Sequence, residues 1–334
     1  DFSEGIFESC EMLESFKLPK TVETIDGYAF AWNNKLAGIL ELGPKFKSMG
    51  ENAFSGTQIS IVKCEATTPP TLKSNSMPEV WETAFVPEGY ADSYKSAPVW
   101  GDKTILDKEV HAEVEVTSAG NLAVDIYEQT GMVPAVITHL KVTGQMGVQD
   151  FAILRSNMPL LYNLDMTDAQ VNVIPENALL DKKVLMTVKL PASLLRIEQG
   201  AFKGCSALRG SLELPTGLKF IGYAAFQGCN SLEEVVLNEN LEVIQGYAFE
   251  GCSSLAQEIT LPINFQSLGE RCFANCTSLY GTVTFNRDFY MFMGTEGYGS
   301  SAGESFYNCS KIEAVDMSAP DFLDEIPYHT FDGC

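Results

Sequence analysis

The chain lacks any run of the roughly 18 apolar residues that a membrane-crossing helix requires, so no membrane insertion of this segment is expected. No stretch reads as a signal peptide either. Basic residues are scarce: 22 Lys and Arg stand against 44 Asp and Glu, a formal charge of −22. Nucleic-acid binding rests on Lys and Arg neutralising phosphates, and adhesion to an anionic membrane surface needs the same groups. Both partners are excluded on that ground. Histidine is scarcer still. His111, His139 and His329 are the only three, and they stand on separate segments. None has Cys, His or Asp around it at metal-ligand spacing, so no metal and no cofactor are expected. Gly299-Ser300-Ser301-Ala302-Gly303 fits the G-x-S-x-G pattern, but that pattern carries meaning only at a strand-to-helix elbow with its triad partners downstream. Here it lies in a Gly/Ser stretch, with His329 the sole following histidine. No catalytic residue is assigned, and an enzyme is not expected.

What the chain does have is a ruler. Phe202–Cys205, Phe226–Cys229, Phe249–Cys252, Phe273–Cys276, Phe306–Cys309 and Phe331–Cys334 each stand three apart, and successive Phe residues are separated by 24, 23, 24, 33 and 25 positions. Phe7–Cys10, Phe30 and Phe54 repeat the phrase near the start, at intervals of 23 and 24. A period in this range is the signature of a solenoid, each turn of chain being one unit stacked on the last. Seven of the nine cysteines fall on one repeat position. A residue type fixed to one repeat position belongs to the packing, and free Cys behaves as a small hydrophobe, so reduced, stacked thiols are expected rather than disulfides. Cys272 stands where other turns carry Ala and belongs to the core as well. The sequons at Asn275 and Asn308 coincide with the ladder phrase and are ascribed to it.

Ten residues beyond the ladder Phe comes an apolar–x–apolar pair, as in Leu40/Leu42, Leu212/Leu214, Val235/Leu237, Ile259/Leu261 and Val283/Phe285. Alternation with period two reads as a strand. Strands in one register joined through about twenty residues pair in parallel. Leu140/Val142, Leu164/Met166 and Val188/Leu190 continue the series upstream, where the Phe phrase is missing. The alternate residue x faces away from the core. In the second array these positions read Lys141, Asp165, Lys189, Glu213, Val236, Thr260, Thr284 and Asp316, a mixed polar stripe. It is a solvated face or a binding face.

The organisation expected is a repeat block over residues 1–63, a cap or linker over 64–109 closing it, and a second block over 110–334 with its own N-terminal cap. Thr67-Thr68-Pro69-Pro70-Thr71 breaks regular structure. A short helix carrying Tyr90 and Tyr94 then precedes Pro98 and Trp100, aromatics suited to covering an open end. His111 to Val116 alternates as an edge strand. Short helices are predicted over 121–129, with Asn121 as N-cap and Gly131 as stop, and over 148–157. The long interval after Phe273 places its surplus in 289–303, where Phe289, Tyr290 and Tyr298 form either a tucked loop or an aromatic contact. Asp1 lies inside a repeat and Cys334 on the ladder phrase, so the chain is expected to be a piece of something longer or to lack its ends.

Phrases such as Leu190-Pro191-x-Ser193-Leu194-x-x-Ile197-x-x-Gly200-Ala201-Phe202-x-Gly204-Cys205 and Ala248-Phe249-x-Gly251-Cys252-Ser253-Ser254-Leu255 resemble the BspA-like leucine-rich repeat family of bacterial surface proteins. The resemblance covers most of the chain. The stretch Ala66 to Leu72, with Val86-Pro87, Tyr94 and Trp100, looks like the segment that closes such arrays. It implies a leucine-rich repeat solenoid: a right-handed superhelix with a parallel β-sheet on its concave face, a mostly irregular or short-helical convex side, and here two repeat blocks. It also implies a non-catalytic, cell-surface or secreted binding protein, an adhesin for host or matrix protein. A glycan-binding or scaffold module of a nutrient-uptake system is the alternative. No residue-level site transfers from the family. The binding residues expected from the pattern are Lys141, Asp165, Lys189 and Glu213, with Phe289, Tyr290 and Tyr298 at the edge. Asn33 and Thr57 replace the ladder Cys, and Ala178-Leu179 replaces Ala-Phe.

Overall fold

The computed structural model describes residues 1–10, 13, 16–293, 303–320, 323 and 326–334. These build a parallel-strand solenoid of about 11 turns that divides into two compact units, Asp1–Glu109 and Val110–Cys334. Among the described residues no helix is long and apolar enough to cross a membrane.

In the first unit Ala37–Leu42, Gln58–Cys64, Thr83–Phe85 and Thr104–Leu106 form a four-stranded sheet, every pair parallel. The last two strands fall in the segment that the sequence marked as a cap, so this segment extends the sheet as well as supplying aromatics. Helix α1, Ala91–Lys95, buries Tyr94. The Tyr94 hydroxyl donates to the Ala66 carbonyl at 2.7 Å, and the Trp100 indole donates to the Pro70 carbonyl at 2.9 Å. Trp81, Tyr94 and Trp100 meet edge to face with centroids 4.8–5.4 Å apart. Their polar atoms are thus satisfied while their rings are buried, which is the condition for large amphipathic aromatics in a core.

The second unit opens with the edge strand His111–Val116, paired in parallel with His139–Gln145, which continues to Asn163–Asp165 and Thr187–Lys189. Leu140, Leu164 and Val188 are in register and face inward. Helix α2, Leu122–Thr130, and helix α3, Val148–Ser156, fill the first connections. Gly131 ends α2 at φ +69°, as expected, but the Asn121 side chain makes no capping bond. Asp150 does that work. Its buried carboxylate accepts the amides of Gly120 and Leu122 at the start of α2 and of Gly147 at the start of α3, all within 2.8 Å. One carboxylate therefore satisfies the orphan donors of two helix ends.

Beyond α3 the strand wall continues as Gly210–Glu213 with Leu232–Val236, then Ile259–Thr260, Tyr280–Thr284 and Lys311–Asp316. The opposite side is less irregular than the sequence suggested. Val173–Ile174, Arg196–Ile197, Phe220–Ile221, Val243–Ile244, Ser267–Gly269 and Met291–Met293 form a second, six-stranded parallel sheet. Each of these strands has only two or three residues, too few to show an alternation. Between the walls Phe202, Phe226, Phe249, Phe273, Phe306 and Phe331 stack in one column, centroids 4.9–5.4 Å apart and planes within 13°.

The residue before Ala-Phe in these turns is left-handed: Tyr28, Asn52, Asn177, Gly200, Ala224, Tyr247, Arg271, Glu304 and His329 all have positive φ. That kink turns the Phe amide onto the next coil. Phe226 donates to the Ala248 carbonyl at 2.7 Å and Phe249 to the Cys272 carbonyl at 2.8 Å. The ladder thiols point the other way: Cys229 donates to the Phe202 carbonyl, Cys252 to Phe226 and Cys276 to Phe249, at 3.1–3.3 Å. All nine cysteines are free.

Candidate functional site

The polar stripe of the strand wall is built by register. Glu113 lies beside Lys141, Lys141 beside Asp165, and Asp165 beside Lys189. Opposite charges on adjacent strands pair: Lys141 binds Glu113 at 2.8 Å and Asp168 at 3.5 Å, and Lys189 binds Asp165 at 2.9 Å. The Glu113 carboxylate holds the Lys141 ammonium above its ordinary pKa. Burial alone would lift the Asp165 carboxyl, but the Thr167 amide and Lys189 outweigh it and hold the group below the usual range. The stripe is thus a ladder of compensated charges, not a set of isolated ones. Glu213, Val236 and Thr260 continue it as exposed positions.

The aromatic edge divides. Phe289 is fully buried, with its ring against Phe265, Phe285 and Phe292. It packs the core beneath the long turn, so no partner can reach it, and it leaves the set of contact residues. Tyr290 is 43% exposed and stays in it. Tyr298 lies outside the described residues, as do residues 299–302 of the Gly/Ser phrase.

Stacking also joins residues that the sequence holds apart. His111 and His139, 28 positions apart, are register partners whose rings stack at 4.1 Å, with the Tyr162 ring edge-on to His139 at 4.6 Å. On the Phe-ladder side, Arg271 lies between the rings of Tyr247 and Tyr307, 5.7 and 5.8 Å from their centroids. It also bonds the carboxylates of Glu250 and Glu304. Three of these residues, Tyr247, Arg271 and Glu304, sit at the left-handed position before the Phe column, a spacing that could have revealed them. Asn275 and Asn308 take the left-handed slot before the ladder Cys and hydrogen-bond each other at 3.0 Å, so the repeat accounts for both.

Residues 1–76 and 172–294 match the model of the BspA-type leucine-rich repeat region, in six copies. The chain belongs to the BspA-type leucine-rich repeat family. No curated protein matches it. Among solved structures, a Leucine Rich Repeat protein from T. pallidum is 28% identical over 39% of this chain and 57% of its own, with a TM-score of 0.34. This chain therefore spans little more than half of that protein. A leucine-rich repeat protein from Eubacterium ventriosum is 16% identical over 96% of this chain and 82% of its own, TM-score 0.44. A leucine-rich cell surface protein from Faecalibacterium prausnitzii is 15% identical over 92% and 88%, TM-score 0.35.

Proposed function

We propose that this BspA-type chain is a non-catalytic binding module of a cell-surface or secreted protein, an adhesin that takes up a host or matrix protein on the strand wall of its second unit. The observation that carries the reading is the stripe Lys141, Asp165 and Lys189, locked in register on paired parallel strands, with Glu213 exposed on the next strand of the wall, which pairs with Leu232–Val236. Side chains fixed on a rigid sheet lose little further freedom when a partner binds. Exposed charges in such a face set association rate and specificity more than raw affinity.

The test is association with immobilised matrix proteins by surface plasmon resonance, wild type against Lys141→Gln/Lys189→Gln. Neutral substitutions are preferred to charge reversal. The register would set a glutamate at 141 against Glu113, Asp165 and Asp168 and confuse stability with recognition. Slower association at unchanged melting temperature supports the site; unchanged kinetics for a partner that binds moves it elsewhere. A second reading, glycan binding, has its own observation in the first unit. Trp32 is 54% exposed and lies over Gly56, beside a groove that Asn52, Asn75 and Met77 also line. Retention on a glycan array that Trp32→Ala abolishes would favour it.

A further inference from the structure

The Phe-ladder side of the second unit carries a cleft of about 470 Å³ lined by Tyr247, Glu270, Arg271, Glu304, Tyr328 and His329. Its composition is aromatic and acidic. Arg271 is already neutralised, with Glu250 at 2.7 Å on one side and Glu304 on the other. Glu270 is not. It is only 7% exposed, yet among the described residues its carboxylate makes no side-chain hydrogen bond and no ion pair.

Glu270 is seated here by the repeat. A Cβ on Gly246, one coil back, would meet the Glu270 Cγ at 3.2 Å and the Tyr223 ring at 3.5 Å. The glycine therefore makes the space that the side chain occupies. Burial, with the negative field of Glu270 next in order, pushes the hydroxyls of Tyr223 and Tyr247 above their ordinary pKa. The Glu270 side chain is buried except where its carboxylate opens onto the cleft, and three carboxylates against one guanidinium leave the cleft net negative. Aromatic faces beside it attract a cation further. Tyr328 stands 87% exposed at its mouth.

We propose that this cleft is a receptor for a cationic side chain, the guanidinium of an arginine or the ammonium of a lysine presented by a basic segment of a partner protein. The incoming cation pairs with Glu270 and stacks against Tyr247 and Tyr328. The overall charge of −22 steers such a segment in. The inference stands apart from the strand stripe, since it uses none of its residues.

The test is binding of a short arginine-rich peptide, its lysine-rich counterpart and a glutamate-rich control, by isothermal titration at low and moderate salt. The wild type should bind both basic peptides and not the control. Glu270→Gln should weaken binding about tenfold or more, while Glu213→Gln on the strand wall leaves it unchanged. Tyr328→Ala, at an exposed position, should weaken binding without moving the melting temperature, and it serves if Glu270→Gln fails to fold. Three results overturn the proposal: equal binding by wild type and Tyr328→Ala with Glu270→Gln, equal losses from Glu213→Gln and Glu270→Gln, or Glu270-dependent retention of neutral glycans with no affinity for the basic peptides.

Discussion

Lys182 should make the second unit more stable as the solution turns mildly alkaline. It stands at the ladder position where neighbouring turns carry Cys, three residues after Leu179, and is only 5% exposed. Its ammonium donates to the Met158 carbonyl just beyond α3 and lies 3.5 Å from the Arg155 carbonyl in that helix's last turn. Burial pushes its pKa from 10.5 down to about 8. At neutral pH both folded and unfolded chains hold the proton, and the folded one bears the penalty. At about 1.36 kcal/mol per pKa unit, a drop from 10.5 to about 8 is a destabilisation of about 3 kcal/mol. Between the two values the unfolded chain binds more protons than the folded one, so stability rises with pH in that window. From pH 7 to 9.5 the relief is about 2 kcal/mol, or some 4–8 °C for a unit of this size. Lys182→Met removes the charge and keeps the bulk. Calorimetric melting temperatures of wild type minus Lys182→Met should climb by that amount across the range, while thiol and tyrosine titration, common to both proteins, cancels. Parallel pH profiles would refute the reasoning. They would mean that the carbonyls at the end of α3 hold the proton on Lys182 and that the helix end, not burial, governs the site.

Three further outcomes follow from the packing. Phe226→Ala removes a fully buried ring stacked at 4.9 and 5.2 Å between Phe202 and Phe249; it should lose roughly 3–5 kcal/mol, with hydrogen exchange rising first in the adjacent coils. Asp150→Ala deprives three backbone amides of their acceptor and should lose about 3 kcal/mol or more, seen as early melting of helical circular dichroism. Ellman's reagent without reductant should count nine thiols in denaturant and only Cys10 and Cys334 in the native protein, the other seven being buried. Burial also pushes Cys205 and Cys252 up to about 12, so their contribution is full below the unfolded thiol pKa and is lost as pH rises through the folded one. Cys252→Ala should therefore flatten the alkaline decline of the melting curve.

The sequence displayed the fold because its most constrained positions carry its least ambiguous residues. A column of Phe at a period of 23–25 admits one stacking, and the apolar–x–apolar pairs fix which face is inward. What it hid lay in elements too short or too altered to show a pattern. The second sheet is made of strands such as Phe220–Ile221, two residues long. Ala178-Leu179 could be read as an altered Ala-Phe, but nothing in Leu180-Asp181-Lys182 marked Lys182 as standing in for the ladder Cys. Phe289 could be read either as tucked under the long turn or as an aromatic contact, and only the structure places its ring in the core. The stripe was legible as a set of outward positions, but its pairing was not: Lys141 and Asp165 are neutralised by partners that only the register brings alongside. The Glu270 cleft was legible only in part: Tyr247 and Arg271 share one repeat position, but their meeting with Tyr328 follows only once the coils stack.

The substitutions at the ladder position show what the repeat demands. Cys205 donates to the Leu179 carbonyl, Asn33 to those of Phe7 and Phe30, Thr57 to Phe54, and Lys182 to Met158. A thiol, an amide, a hydroxyl and an ammonium thus perform one task, which is to place a donor on a buried carbonyl of the same or the preceding turn. An unmet buried acceptor is penalised more than a met one is rewarded, so the position tolerates any side chain that reaches the oxygen and few that do not. Sulfur chemistry is incidental to it. The same reasoning separates scaffold from surface. The Phe, the donor and the left-handed residue backbone are fixed by the stack, whereas the side chains at the left-handed position and at the strand x positions point away from it and vary from turn to turn. The two faces proposed for recognition, the charged strand wall and the acidic, aromatic cleft beside Glu270, can therefore each change without disturbing the column between them.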